Sequence, residues 1–265
     1  MRQWYALLVV GTAAIGGNAD AAVRIFRPDS ASQVVLKLDT PALSTASPEL
    51  EEMKRAATMN SEALLPYIEA LVEAGAASGN ERYYFDAEQA MQAAPAGLQS
   101  TFALPRAKVL QHRHDFRAAE QELEPVLRLN PRDTRARLLR AQIRIHLRDS
   151  QGAMQDCVAL TPLTDIVTSS ICIAQARALR GDLEQSYALV TTALQSQQGT
   201  PDIRSWGAGV AAEIAAQRGD AQKAEYWYRT AFELNPTTHF PRVAYAGWLR
   251  SQGNLSAALA IEGAR

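Results

Sequence analysis

The feature that most constrains this chain is a repeat with a period close to 34 residues. Over most of its length the sequence is rich in alanine, with apolar residues at helical spacing. Helical stretches end at Leu129-Asn130-Pro131 and at Leu234-Asn235-Pro236. Arg180-Gly181-Asp182, Arg218-Gly219-Asp220 and Gln252-Gly253-Asn254 mark the turns inside three successive hairpins. Glycine at such a turn takes the left-handed conformation that ends one helix, and the following Asp or Asn suits the start of the next. A single hairpin of this kind cannot bury its apolar face alone, so each must pack on its neighbour. The expected fold is all-α, a solenoid of antiparallel helix hairpins with no sheet.

These landmarks resemble the tetratricopeptide repeat, a 34-residue helix–turn–helix unit. That family places a small residue where the two helices of a unit touch most closely, and Ala107, Ala141, Ala174, Ala212 and Ala246 stand there. A second small position is filled by Ala119, Ala153, Ser186, Ala224 and Ala258. The resemblance covers about residue 99 to the end of the chain, and more loosely residues 60–95. It implies a right-handed superhelix with four complete repeats and a final short one over 99–265, preceded by helices and a degenerate repeat over 48–98. The spacing slips near Thr161-Pro162 and lengthens over residues 195–200. Pro125 falls inside a second helix, where loss of its backbone N–H is expected to bend or shorten the last turn. The last unit carries no clear polar capping helix, so a covering partner or a truncated chain is expected there. Within the family the chain is similar to exported bacterial members, a likeness that bears on location rather than chemistry.

The first residues support the same location. Arg2 precedes an uncharged apolar or small run from Trp4 to Gly16, and Ala19-Asp20-Ala21 supplies an A-x-A type cleavage site. Residues 1–21 therefore read as a signal peptide, with an uncleaved anchor as the alternative, and residues 22–47 as an irregular arm punctuated by Pro28 and Pro41. The run is shorter than the ~20 apolar residues of a spanning helix, so no stable membrane span is expected in the mature chain. The expected location is the periplasm or cell envelope. A net charge of −1 argues against partners recognised by a basic surface, nucleic acid above all.

Several local patterns invite sharper readings. His112, His114 and His146 are candidate metal ligands, but His112 and His114 are two residues apart and diverge around a helix. His112 and His146 occupy equivalent places in adjacent units. Arg135, Arg137, Arg140, Arg144 and Arg148 form a stripe that is either an anion-binding patch or a solvated face, with Glu120, Glu122 and Glu124 near enough to neutralise part of it. Tyr226-Trp227-Tyr228 reads as packing, with one ring left partly exposed. The two Arg-Gly-Asp tripeptides fall at equivalent turns, which the repeat explains without adhesion. There is no G-x-S-x-G, no phosphate-cradling glycine loop and no H-E-x-x-H. No catalytic set and no cofactor are expected, and the chain reads as a non-enzyme.

The resemblance implies that the first helix of each unit lines a concave groove. In that register the groove-facing residues are Lys108, His112, Arg135, Gln142, His146, Gln175, Trp206, Glu213 and Phe240. They imply a groove for an extended or helical polypeptide segment, basic between Lys108 and Arg140 and aromatic near Trp206. The carboxylate clamp of some family members is not reproduced, because Leu138 and Ile171 stand where a basic residue is needed and Gln142 and Gln175 replace Asn. The register also sets the two cysteines, Cys157 and Cys172, nearly level on neighbouring antiparallel helices. An exported chain would join them as a disulfide; two buried thiols are the alternative. The expected function is a binding scaffold for a protein or peptide. The alternative is a soluble binder of a metal or small anion through His112, His146 and the arginines of 135–148.

Overall fold

Alternate helices of this chain bury a narrow stripe of small side chains, and that is what lets them pair so closely. The computed structural model describes residues 47–263, which hold thirteen α-helices and two 3₁₀ segments, with no strand among the described residues. The predicted signal peptide and nearly all of the irregular arm lie outside them. Helix α1 (Pro48–Met59) is followed by six antiparallel hairpins: α2 (Leu64–Ser78) with α3 (Glu81–Ala93), α4 (Ala103–His112) with α5 (Phe116–Leu129), α6 (Thr134–His146) with α7 (Ser150–Leu160), α8 (Ile166–Ala178) with α9 (Leu183–Gln195), α10 (Pro201–Gln217) with α11 (Ala221–Leu234), and α12 (His239–Ser251) with α13 (Leu255–Gly263). The first helices of successive hairpins stack on one another, α2 on α4, α4 on α6, and so on to α12.

Ala107, Ala141, Ala174, Ala212 and Ala246 are all fully buried, and so are Ala119, Ala153, Ser186 and Ala224. A larger side chain at any of them would hold two helices apart. The helix starts follow a common rule: Asp115, Asp133, Asp149, Asp165 and Asp220 each accept a hydrogen bond from the backbone N–H three residues on, at 2.8–3.3 Å. Asp182 occupies the same place before α9 but makes no side-chain cap. Ser47 caps α1, its hydroxyl accepting from the Leu50 N–H at 3.2 Å.

At the turn inside each hairpin one residue is left-handed. Gly219, at φ 77°, is typical, and Gly181 and Gly253 match it. In the α4–α5 and α6–α7 hairpins the same place is held by His114 and Arg148, at φ 61° and 63°. Pro125 does not shorten α5: the helix runs 14 residues to Leu129, the length of α11. Pro125 and Gln121 are both exposed, so water can satisfy the Gln121 carbonyl that loses its helical donor.

Cys157 on α7 and Cys172 on α8 form a disulfide, with Cα atoms 5.4 Å apart and both residues fully buried. It ties one hairpin to the next. A second long-range feature was not foreseen in the sequence: α2 also packs on α12, so the first and last hairpins meet. The end of α2 is built of small residues, Ala74-Gly75-Ala76-Ala77-Ser78-Gly79, which lets α12 come close.

Candidate functional site

The closure sets the first helices around an inner cavity. Gln142 and His146 enter it from α6, Gln175 from α8, Trp206 and Glu213 from α10, and Phe240 from α12; its volume is about 520 Å³. These are six of the nine residues that the repeat register assigns to the groove. Trp206 and Phe240 also line a smaller cavity of about 260 Å³ against Ala76 and Ala77 of α2, so this aromatic pair lies between the two spaces.

The remaining three are placed elsewhere. Arg135 donates to Glu69 on α2 at 2.6 Å. His112 stacks on Tyr84 with ring centroids 3.8 Å apart, and its Nε2 lies 2.8 Å from Glu81 Oε1. Lys108 is half-buried on α4 and does not line the cavity. Gln111, Arg148 and Gln217 do line it, and the register did not single them out for that role. Gln111 and Gln217 lie at the ends of their helices, and Arg148 sits in a turn, where family positions are a weak guide.

The arginine stripe is largely consumed by internal pairing. Asp156 on α7 is 1% exposed and accepts from Arg137 at 3.0 Å, from Arg140 at 2.9 and 2.7 Å, and from Arg144 at 2.9 Å. Arg144 also donates to Glu120 at 2.7 Å, as the acidic run on α5 suggests. The groove segment expected to be basic is thus mostly neutralised. His112 and His146 also part company: His146 stacks on Phe116 at 4.7 Å, away from the Tyr84 and Glu81 that hold His112. Among the described residues no group of three or more His, Cys, Asp or Glu side chains is placed to hold a metal ion.

Three groups set the electrostatics here, Glu213 and His146 on the cavity wall and Tyr228 close enough to feel the charge of Glu213. Glu213 makes no hydrogen bond or ion pair with the described residues, and burial raises its pKa above the ordinary value. Tyr228 is pushed up to about 12, by burial first and then by the charge of Glu213. His146 is held below its ordinary value by lost hydration and by His114. Gln142 Nε2 and Gln175 Oε1 are buried without a hydrogen-bond partner in the protein. Glu213 thus lines, without a hydrogen-bond or ion-pair partner among the described residues, an open-sided cavity bordered by Trp206 and by Phe240, the latter 60% exposed.

The other motifs resolve into packing. Tyr228 is buried and Tyr226 is exposed, with Trp227 between them donating to the Tyr187 hydroxyl at 2.8 Å. Arg218 pairs with Glu184 at 2.8 and 2.6 Å and lies over the Tyr187 ring, so one Arg-Gly-Asp tripeptide has its arginine held within the solenoid.

No protein-family model matches this chain, and no curated protein matches its sequence. Solved structures do match its fold. A thermophilic TPR protein of Thermus thermophilus, TTC0263, superposes with a TM-score of 0.50 at 22% identity, covering 61% of this chain and 87% of that one. NprR in complex with its cognate peptide NprX gives 0.53 at 13% identity, covering 80% and 75%. The Cut9 and Hcn1 hetero-tetramer of the APC/C gives 0.52 at 12% identity, covering 80% of this chain and 41% of that one. The chain is an all-α solenoid of the tetratricopeptide-repeat type.

Proposed function

We propose that this protein is a non-enzymatic interaction scaffold that holds a polypeptide segment against the inner face of its solenoid. The observation that carries this reading is the convergence of Gln142, His146, Gln175, Trp206, Glu213 and Phe240 on one cavity. Gln142 and Gln175 line it with amide side chains, whose donors and acceptors match those of a peptide backbone. Trp206 and Phe240 offer the aromatic anchors that often carry most of an interface's energy. Among proteins of similar fold, NprR binds a peptide and Cut9 assembles with Hcn1, which supports a polypeptide ligand here. The buried disulfide agrees with an oxidising compartment. Together with the signal-like first residues it supports a place in the periplasm or cell envelope. Among the described residues no helix is long and apolar enough to cross a membrane.

The metal- or anion-binding alternative draws less support from the site, because Arg135, Arg137, Arg140 and Arg144 are bound to Glu69, Asp156 and Glu120, which leaves it Arg148 alone of the stripe. The test is a photo-crosslinking residue at position 175 in the producing cell. One envelope protein should be captured in stoichiometric amount, and Trp206→Ala should abolish the capture. Capture that is diffuse, or that survives Trp206→Ala, overturns the reading.

A further inference from the structure

We propose that the inner cavity is a recognition pocket for a lysine or arginine side chain of the polypeptide partner, with Glu213 as its counter-charge and Trp206 and Phe240 as its walls. This deepens the scaffold reading and rests on it.

Glu213 is half-buried on α10, and it lines the cavity. A carboxylate taken out of water is expensive unless a cation or several donors meet it. Glu213 has neither among the described residues, although it sits well inside a well-packed helix. Its neighbours on the same turns, Val210, Ala211, Ala212 and Ile214, are all buried apolar residues. A glutamate here costs the fold stability that an apolar residue or a glutamine would not. No cation of the described residues pairs with its carboxyl, which leaves it to an external cation.

The surroundings select the kind of cation. Trp206 and Phe240 border the cavity that holds Glu213. Aromatic faces attract ammonium and guanidinium groups, and their edges pack the alkyl stem of a long side chain. Burial and His114 keep His146 below its ordinary pKa, so at neutral pH it adds no repelling charge. Arg148 also borders the cavity, from the turn that follows α6, but makes no ion pair with Glu213. It is free to meet a carbonyl or carboxylate of the same ligand. The amides of Gln142 and Gln175, which line the same cavity, then supply donors and acceptors to the peptide backbone that carries the cationic residue. A volume of about 520 Å³ accommodates one long side chain with its adjoining peptide units.

The test follows the indole N–H resonance of Trp206 in the full chain during titration with short peptides blocked at both ends. The central residue is Lys, Arg, norleucine or Glu, and n-butylammonium is run alongside. Lys and Arg peptides should shift the resonance and bind at least about tenfold tighter than the norleucine and Glu peptides. Glu213→Gln should remove that preference; because it removes an unpaired, half-buried charge, it should not unfold the protein. Equal binding of Lys and norleucine peptides would overturn the cation pocket and leave the peptide groove standing. If no peptide shifts the resonance, both readings fail. If butylammonium binds as tightly as the Lys peptide, the site takes small cations and the polypeptide partner is overturned.

Discussion

His239, the first residue of α12, packs its imidazole against Gly79, the residue that ends α2. A Cβ at position 79 would lie 2.5 Å from His239 Nδ1, and Gly79 is left-handed at φ 71°. This is where the first and last hairpins meet. Gly79→Ala should therefore cost about 1–2 kcal/mol from backbone strain alone, read by urea unfolding. Spin labels on the exposed Ser78 and Thr237 should move apart in the variant. Unchanged stability and an unchanged distance would show that the hairpins do not hold together in solution.

The Cys157–Cys172 bridge closes a loop with a sequence separation of 15 residues. Opening such a loop costs ~3 kcal/mol in the chain-entropy account. The double variant Cys157→Ala and Cys172→Ala should lose up to that amount. The native protein, titrated in denaturant, should show no free thiol until it is reduced. Two free thiols per chain before reduction would contradict the bridge.

Asp156 is the carboxylate shared by Arg137, Arg140 and Arg144, whose side chains are only 14–17% exposed. Removing the shared acceptor leaves Arg137 and Arg140 without a carboxylate and Arg144 with Glu120 alone. Asp156→Ala should destabilise the protein by roughly 3–5 kcal/mol. The loss should exceed that of Glu120→Ala, which leaves Arg144 still paired to Asp156. Comparable losses from the two, measured by chemical denaturation, would mean that Asp156 is not the hub.

Glu213 has a folded-state pKa raised by burial, so ionisation opposes folding. The sign follows: the penalty is absent below the ordinary carboxyl value of about 4.5 and grows as pH rises toward the folded value, reaching its full size above it. Glu213→Gln should melt higher than the natural protein near neutral pH, and the two curves should converge near pH 4. A variant that melts lower at neutral pH would mean that Glu213 is already paired within the protein.

The sequence alone determined what depends on local geometry repeated along the chain. A hairpin whose helices touch closely admits only small side chains at the contact, so the buried alanines from Ala107 to Ala246 are legible as a period. A helix-ending turn favours glycine, so Gly181, Gly219 and Gly253 announce themselves. The disulfide was legible because the register of two adjacent helices fixes which residues lie level. The tertiary structure decided what depends on the direction of side chains and on the meeting of distant segments. Arg140 can swing toward the groove or toward α7, and only the position of Asp156 settles it. Arg135 meets Glu69 across 66 residues, and α2 reaches α12 across far more. Each repeat adds a small rotation to the stack, and no single repeat records their sum. That sum closes the solenoid, and it sets Glu213 without a partner in a cavity walled by Trp206 and Phe240.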